Sequence, residues 1–201
     1  MQRGKLLAPM SYTPLTEQEV FQHFAAVSDA SSLPLCIYNN PSTTHFAFSM
    51  ELLKKLSDID SIQAVKMPLP ADMDFASDIE SLRSVLPNNF VIGYSGDWGC
   101  GSALLSGADA WFSVVGGILP QPALKLTRAA QKGGAETTLK LNSRFAPLFD
   151  LFQEFGSLRV VYAVANILQL TPAQPHLPVL PIASADLERV RSAIRPFVPE
   201  A

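Results

Sequence analysis

Short apolar runs alternate with longer amphipathic stretches in the first half of this 201-residue chain, and this alternation constrains the fold more than any other feature. The apolar runs are Leu6–Ala8, Leu33–Tyr38, Ile62–Lys66, Phe90–Tyr94 and Ala110–Val115. Each has a length suited to a buried strand, and the stretches between them carry apolar residues at helical spacing. Strands that alternate with helices favour a parallel sheet of βα units, so we predict an α/β fold.

Local signals place the first helices and a loop within this pattern. Thr16 and Glu19 form a capping box, in which each side chain accepts the other residue's backbone amide, and the helix that follows should end at Ser31. Ser49 is a second helix cap. Residues 39–44, with the sequence NNPSTT, have the composition of a loop.

The strand–helix alternation stops at Pro120, and the remainder predicts helices. We expect them at Pro122–Gln131, Glu136–Phe155, Leu158–Leu168 and Asp186–Ile194, with Pro147 kinking the second one. The chain thus divides into a sheet-containing part, residues 1–120, and a helical extension, residues 121–201.

Composition argues against several classes of partner. The net charge is −3 and the basic residues are scattered, which disfavours nucleic acid. No run approaches the roughly 20 apolar residues of a membrane span, and the first apolar run is too short for a signal peptide. The cysteines and histidines lack metal-site spacing; they are Cys36, Cys100, His23, His45 and His176. We therefore expect a soluble, cytoplasmic protein with reduced thiols, no metal and no cofactor.

Lys66 is the strongest candidate for chemistry. It ends an apolar strand, and α/β proteins place their active sites at the carboxyl ends of strands. A lysine partly withdrawn from water there loses its proton more readily and becomes a nucleophile. The alternative, which is the commoner case, is that the lysine only marks where the strand meets solvent.

Tyr38 ends the preceding strand, so in a parallel sheet it should lie beside Lys66, where its phenol can pass protons. Strand-end tyrosines also commonly do no more than cap a core. Candidate substrate contacts around the same edge are Thr43, Thr44, Ser95, Asp97, Phe112 and Ser113. Gly116-Gly117 is an alternative site, because backbone amides of such pairs can bind phosphate.

Four motifs taken together resemble one protein family. They are Tyr38-Asn39-Asn40-Pro41-Ser42, the strand Ile62–Lys66 whose lysine lies 28 residues after the tyrosine, Ser95-Gly96-Asp97, and Ser113-Val114 before a glycine-rich turn. The set is similar to the dihydrodipicolinate synthase and N-acetylneuraminate lyase family. Members of this family are Schiff-base-forming class I aldolases on a (β/α)8 TIM barrel, and the resemblance runs from about Leu6 to the last helix.

The resemblance implies an activity and roles for these residues. Lys66 would attack the ketone of pyruvate or another 2-oxo acid to give an imine, and Tyr38 would carry protons to and from the bound substrate. The amides of residues 113–117 would shape the keto-acid pocket, and residues 95–97 would face the rest of the substrate. The resemblance also suggests a homo-oligomer.

The chain departs from the family pattern in ways that bear on activity. Thr43 stands where dihydrodipicolinate-forming members have an arginine, and His45 where a glycine is usual. Pro9-Met10-Ser11-Tyr12 replaces a common Pro-Tyr-Tyr sequence, so the second tyrosine of a proton relay is missing or displaced to Tyr12. Five strands are predicted where a barrel has eight, and the first three βα units, with the loop that holds the pyruvate carboxylate, have no counterpart.

We therefore predict an incomplete (β/α)8 barrel of about five βα units with a helical tail, from a Schiff-base lyase or aldolase. Its open sheet edges would be completed by the missing barrel units or by another subunit. Two alternatives stay open. One is a catalytically inactive truncated member or assembly subunit, and the other is a phosphate-binding barrel isomerase that uses Gly116-Gly117.

Overall fold

A computed structural model describes residues 4–198, and its contacts divide the chain into two units between Phe112 and Ser113. The first unit holds a five-stranded parallel sheet in which each strand pairs with the next in chain order. The strands are β1 (Lys5–Leu7), β2 (Leu35–Tyr38), β3 (Ile62–Met67), β4 (Val91–Tyr94) and β5 (Ala110–Trp111). The predicted α/β fold is confirmed. The outer ends of the two predicted regions, residues 1–3 and 199–201, lie outside the described residues.

Helices alternate with the strands in the first unit. They are α1 (Glu17–Asp29), α2 (Pro41–Thr44), α3 (Met50–Ser57), α4 (Phe75–Val85) and α5 (Cys100–Leu105). The strand register aligns Ile37, Val65 and Ile92 in one row, and each of the three is 0% exposed. Apolar residues of α1, α3 and α4 complete the same core, so the next residue of each strand must point to the opposite face.

The predicted helix starts are confirmed by hydrogen bonds at both caps. The Glu19 amide donates to Thr16 Oγ1 at 3.3 Å, and the Thr16 amide donates to Glu19 Oε2 at 2.7 Å. The Ser49 hydroxyl oxygen accepts the Leu52 amide at the start of α3. These bonds satisfy amides that the first helical turn leaves without a partner.

The structure differs from the sequence predictions in the loop after β2 and at the end of α1. The predicted loop over residues 39–44 contains the short helix α2, because Pro41 stands at the first helical position, where its fixed φ favours a helix. His45 closes α2 in the left-handed conformation (φ 55°), which explains why a glycine suits this place. The first helix ends at Asp29 rather than at Ser31.

The fifth strand is shorter than predicted. Regular pairing with β4 covers only Ala110 and Trp111, and one further bond runs from the Phe112 amide to the Tyr94 carbonyl. β4 itself ends at Tyr94, so it offers no ladder on which β5 could continue. The chain then leaves the sheet and forms a 3-10 turn at Val115–Gly117.

The second unit is helical, as predicted. Its helices are α6 (Pro120–Gln131), α7 (Ala135–Phe155), α8 (Ser157–Ile167) and α9 (Leu187–Ile194). α7 continues through Pro147 without interruption. Buried aromatic residues on its inner side, among them Phe145 and Phe149, form a core with apolar residues of α8 and α9. In the described part of the chain, no helix combines the length and the apolar character needed to cross a membrane.

We expect Thr16→Ala to lower the free energy of unfolding by about 1 kcal/mol, because the Glu19 amide would lose its acceptor. Thr16→Ser keeps the hydroxyl and should stay close to the unchanged protein. Urea unfolding followed by circular dichroism measures both variants. Equal losses of stability in the two would show that the capping box does not stabilise α1.

Candidate active site

Lys66 lies directly opposite Tyr38 in the ladder between β2 and β3. Tyr38 is the last residue of β2, and Lys66 is the last but one of β3, so both lie at the carboxyl edge of the sheet. The Asn39 amide donates to the Lys66 carbonyl at 3.0 Å, which continues the ladder beyond β2. Backbone pairing therefore fixes the two side chains beside each other.

The amine of Lys66 lies over the ring of Tyr38. Its Nζ atom is 4.0 Å from the ring centroid, well within the range of a cation–π contact. Both side chains are partly buried. The lysine is thus held at the phenol instead of extending into bulk solvent.

An aromatic residue also lies on the other side of Lys66. Its partner on β4 is Gly93, where an added Cβ would come within 2.6 Å of Phe112 Cε2. That distance is far below van der Waals contact, so the ring of Phe112 takes the place of a side chain at Gly93. Tyr38 and Phe112 therefore flank the lysine on the same face of the sheet.

The hydroxyl of Tyr38 has a protein partner in Asn40. Nδ2 of Asn40 donates to the phenol oxygen at 3.1 Å, and Oδ1 of Asn40 accepts from the Ser42 hydroxyl at 2.7 Å. Ser42 thus fixes which way the amide points. Because the phenol oxygen acts as acceptor here, its own O–H hydrogen remains available for a further acceptor.

Thr43 and Thr44 differ in what they offer a ligand. Thr43 is exposed on α2. Thr44 is 5% exposed, and its hydroxyl lies 3.0 Å from the Asn40 carbonyl and 3.2 Å from the Phe46 carbonyl. Thr44 therefore holds the loop after β2, and Thr43 is the one of the two whose side chain is exposed to solvent.

Ser95 and Asp97 tie the loop after β4 to its neighbours. The amide and the hydroxyl of Ser95 both donate to the Met67 carbonyl, at 2.9 and 3.1 Å. Asp97 is 2% exposed, and its Oδ1 accepts from the indole nitrogen of Trp111 at 2.9 Å. These contacts give both residues a part in shaping the carboxyl edge around Lys66.

Tyr94 shows that ending a strand does not by itself bring a tyrosine to this site. It points to the helix-covered face, where its ring packs edge-on against Phe75 and its hydroxyl donates to Asp78. Burial first, and then the contact with Asp78, raise the pKa of the Tyr94 phenol above its ordinary range. Tyr94 belongs to the core.

Ser113 belongs to the second unit, where its hydroxyl oxygen accepts the Gly116 amide at 2.8 Å. The Gly117 amide donates to the Val114 carbonyl at 3.1 Å. Both glycine amides thus have acceptors within their own turn. The alternative phosphate site would need these amides to be free, so the geometry does not favour it.

Cys36 lies two residues before Tyr38 and points to the same face of the sheet. Burial raises the pKa of its thiol to about 12, while the nearby positive charge of Lys66 acts in the opposite direction. The thiol therefore stays protonated at neutral pH. No group of three or more His, Cys, Asp or Glu side chains within residues 4–198 is arranged to hold a metal ion.

These features define a class. A parallel sheet with alternating helices and a lysine at the carboxyl edge is the architecture of a (β/α)8 barrel enzyme, of which this chain holds five strands. The chain belongs to the dihydrodipicolinate synthetase family, whose family model matches residues 5–196.

Relatives with known names and structures agree with this assignment. Two proteins named 4-hydroxy-tetrahydrodipicolinate synthase are similar: one from Azobacteroides pseudotrichonymphae is 28% identical over 96% of this chain, and one from Herminiimonas arsenicoxydans is 32% identical over 92%. The crystal structure of dihydrodipicolinate synthase from Agrobacterium tumefaciens is 57% identical over 96% of this chain, with a TM-score of 0.94. The match covers 66%, 62% and 65% of these three proteins, so the chain is an incomplete barrel of this family.

Sequence reasoning missed three residues of the site: Asn39, Asn40 and Gly93. The two asparagines belong to the Tyr38–Ser42 motif, but asparagine is also an ordinary turn residue, so residue type alone gives neither a role. Asn39 is 6% exposed, and its Oδ1 is buried without a hydrogen-bond partner. A glycine within a strand signals close approach of another group, and this signal could have identified Gly93.

The pKa of Cys36 leads to a prediction about its reactivity. At pH 8 its thiol should react with iodoacetamide about a thousandfold more slowly in the folded protein than in urea, because a pKa of about 12 instead of 9.0 leaves that much less thiolate. Quantitative mass spectrometry of the Cys36 peptide measures both rates.

The same shift has a consequence for stability. The folded state holds the proton of the Cys36 thiol more tightly than the unfolded state does. The contribution of this thiol to the free energy of unfolding is therefore complete below pH 9 and is lost as the pH rises toward 12. Between pH 9 and pH 12, the free energy of unfolding of the unchanged protein should therefore fall more steeply than that of the Cys36→Ala variant. The difference should be up to about 1.4 kcal/mol per pH unit. Equal alkylation rates in folded and unfolded protein would contradict both expectations.

Proposed function

We propose that this chain carries the catalytic lysine and the proton carrier of a Schiff-base lyase or aldolase that acts on pyruvate or another 2-oxo acid. The observation that carries the proposal is the position of Lys66 Nζ, 4.0 Å from the centre of the Tyr38 ring at the carboxyl edge of the sheet. Membership of the dihydrodipicolinate synthetase family supports it.

The proposed reaction uses the lone pair of an amine that lies beside a phenol. The lone pair of Lys66 Nζ adds to the ketone carbon, the hydroxyl of the resulting carbinolamine takes up a proton and leaves as water, and a protonated imine remains. This cation accepts electrons when a proton leaves the adjacent carbon, which gives an enamine. The enamine carbon then attacks an aldehyde, or the same steps in reverse cleave a carbon–carbon bond.

Tyr38 is the group that moves protons in this scheme. Its oxygen accepts a hydrogen bond from Asn40, so its O–H hydrogen is directed elsewhere and can be given to the leaving hydroxyl. Phe112, packed over Gly93, limits the space beside Lys66 on the side of β4.

Thr43 bears on which second substrate is used. By resemblance, members of the family that make dihydrodipicolinate have an arginine at this place, which binds the carboxylate of the aldehyde substrate. A threonine hydroxyl cannot form a two-pronged ion pair with a carboxylate. We therefore propose a second substrate that lacks a carboxylate at this position.

Further βα units are needed to cover the inner face of the sheet. Leu6, Cys36, Ala64 and Val91 are aligned across β1–β4 on the face that carries Lys66, and Leu6 and Val91 are 49% and 37% exposed. In a closed barrel such residues form a packed interior layer. We propose that three more βα units cover this row and supply the loop that binds the substrate carboxylate; the alternative is that another copy of the chain covers the row in a homo-oligomer.

Reductive trapping tests the proposed lysine directly. In the presence of pyruvate and borohydride, Lys66 should gain a carboxyethyl group on Nζ, because borohydride reduces the imine to a stable amine. Peptide mass spectrometry locates the adduct. Lys66→Arg should abolish trapping, whereas Lys55→Arg should leave it unchanged, since Lys55 is an exposed helix residue paired with Glu51.

The same experiment distinguishes a catalytic lyase from a catalytically inactive member of the family. It is done on this chain alone and on the chain together with the three βα units from the Agrobacterium relative. An adduct in either sample supports the lyase proposal. Its absence from a folded complex of the two would show a non-catalytic family member.

Asn40 should influence trapping only through Tyr38. Asn40→Leu removes the hydrogen bond to the phenol and should slow imine formation about tenfold, the effect of losing about 1.4 kcal/mol. In a Tyr38→Phe background the same substitution should have almost no further effect, because the phenol oxygen is already absent. Asn88→Leu, at an exposed turn, is the matched control. Additive effects of the two substitutions would contradict this role for Asn40.

A further inference from the structure

We propose that the helical second unit has a binding site for a small organic anion with an apolar body. The site, called here the basic groove, lies between α6, the first part of α7 and the 3-10 turn Arg195–Phe197. Its volume is about 810 Å³, within the range of small-molecule sites. All its lining residues belong to the second unit, so the inference does not depend on the proposed lyase function.

Charge is the first observation that points to an anion. Four cationic side chains line the groove: Lys125, Arg128, Lys132 and Arg144. Among residues 4–198, no carboxylate side chain lines it, although the whole chain has 18 acidic and only 15 basic residues. Within the same residues, none of the four cations forms an ion pair with a carboxylate. Like charges around one cavity repel each other, and a bound anion would relieve that repulsion.

Arg144 is held in place before any ligand arrives. Its guanidinium lies 5.5 Å from the centre of the Phe197 ring and donates to the carbonyl of Pro196. A side chain that is already ordered loses less conformational entropy on binding. This contact distinguishes Arg144 from a freely solvated surface arginine.

The aromatic surface of the groove is that of Phe197, which is partly exposed. Its ring stacks on the buried ring of Phe145, with centroids 4.3 Å apart and an interplanar angle of 22°. Leu124 and Leu141 add further apolar surface. Apolar surface next to several cations matches a molecule that combines an aromatic or acyl body with a carboxylate, sulfonate or phosphate group, and it matches inorganic phosphate poorly.

A pair of fluorescent probes tests this assignment. 8-Anilinonaphthalene-1-sulfonate has an aromatic body and one negative charge, and N-phenyl-1-naphthylamine has the same aromatic body without the charge. We expect the sulfonate to bind the full chain saturably, and the combined Arg128→Gln and Lys132→Gln substitutions to raise its Kd about fivefold or more. The uncharged probe should show little change with the same variant.

Lys140→Gln is the matched control, because Lys140 is exposed on α7 and does not line the groove. Circular dichroism and thermal unfolding establish that each variant is folded. Equal sulfonate affinity in the double variant and in Lys140→Gln would overturn the proposal, since the probe would then bind elsewhere. Sedimentation that shows a dimer dissociated by the double variant would also overturn it, because the groove would then be an interface between copies.

Discussion

The backbone pairing between β2 and β3 is the constraint on which the rest of the site depends. It places Tyr38 opposite Lys66, and the bond from the Asn39 amide to the Lys66 carbonyl holds that register at the carboxyl edge. A shift of one residue would turn Lys66 toward the helix-covered face, where its polar amine would have to be buried in an apolar core. The register is therefore enforced by the same apolar residues that fold the sheet.

The two faces of the sheet have different consequences for function. One face is closed by helices, and its row of Ile37, Val65 and Ile92 excludes water completely. The other carries the lysine and its aromatic neighbours next to a partly exposed apolar row. This contrast connects the incomplete barrel with the proposed chemistry. The residues proposed to act on a substrate lie on this face, and the groups proposed to bind its carboxylate lie in further βα units.

Much of the fold could be predicted because the sequence signals are local. Apolar periodicity located the strands, and capping residues such as Thr16 located helix starts. The adjacency of Tyr38 and Lys66 also followed from strand order, since parallel neighbours bring their carboxyl ends together. The direction of short polar side chains could not be predicted, because the bond from Asn40 to Tyr38 depends on the helical turn that Pro41 starts. The length of β5 depended on where β4 stops, which no local pattern in β5 reveals.

A disulfide between residues 38 and 66 would test the register between β2 and β3. In a Cys36→Ala, Cys100→Ala background, adjacent strands about 4.8 Å apart place these two positions within the range that a disulfide can span. We expect Tyr38→Cys with Lys66→Cys to form an intramolecular disulfide under mild oxidation, with loss of both free thiols. Tyr38→Cys with Val65→Cys should stay reduced, because residue 65 points to the opposite face. Cross-linking of the 38–65 pair in preference to the 38–66 pair would contradict the register and the active site built on it.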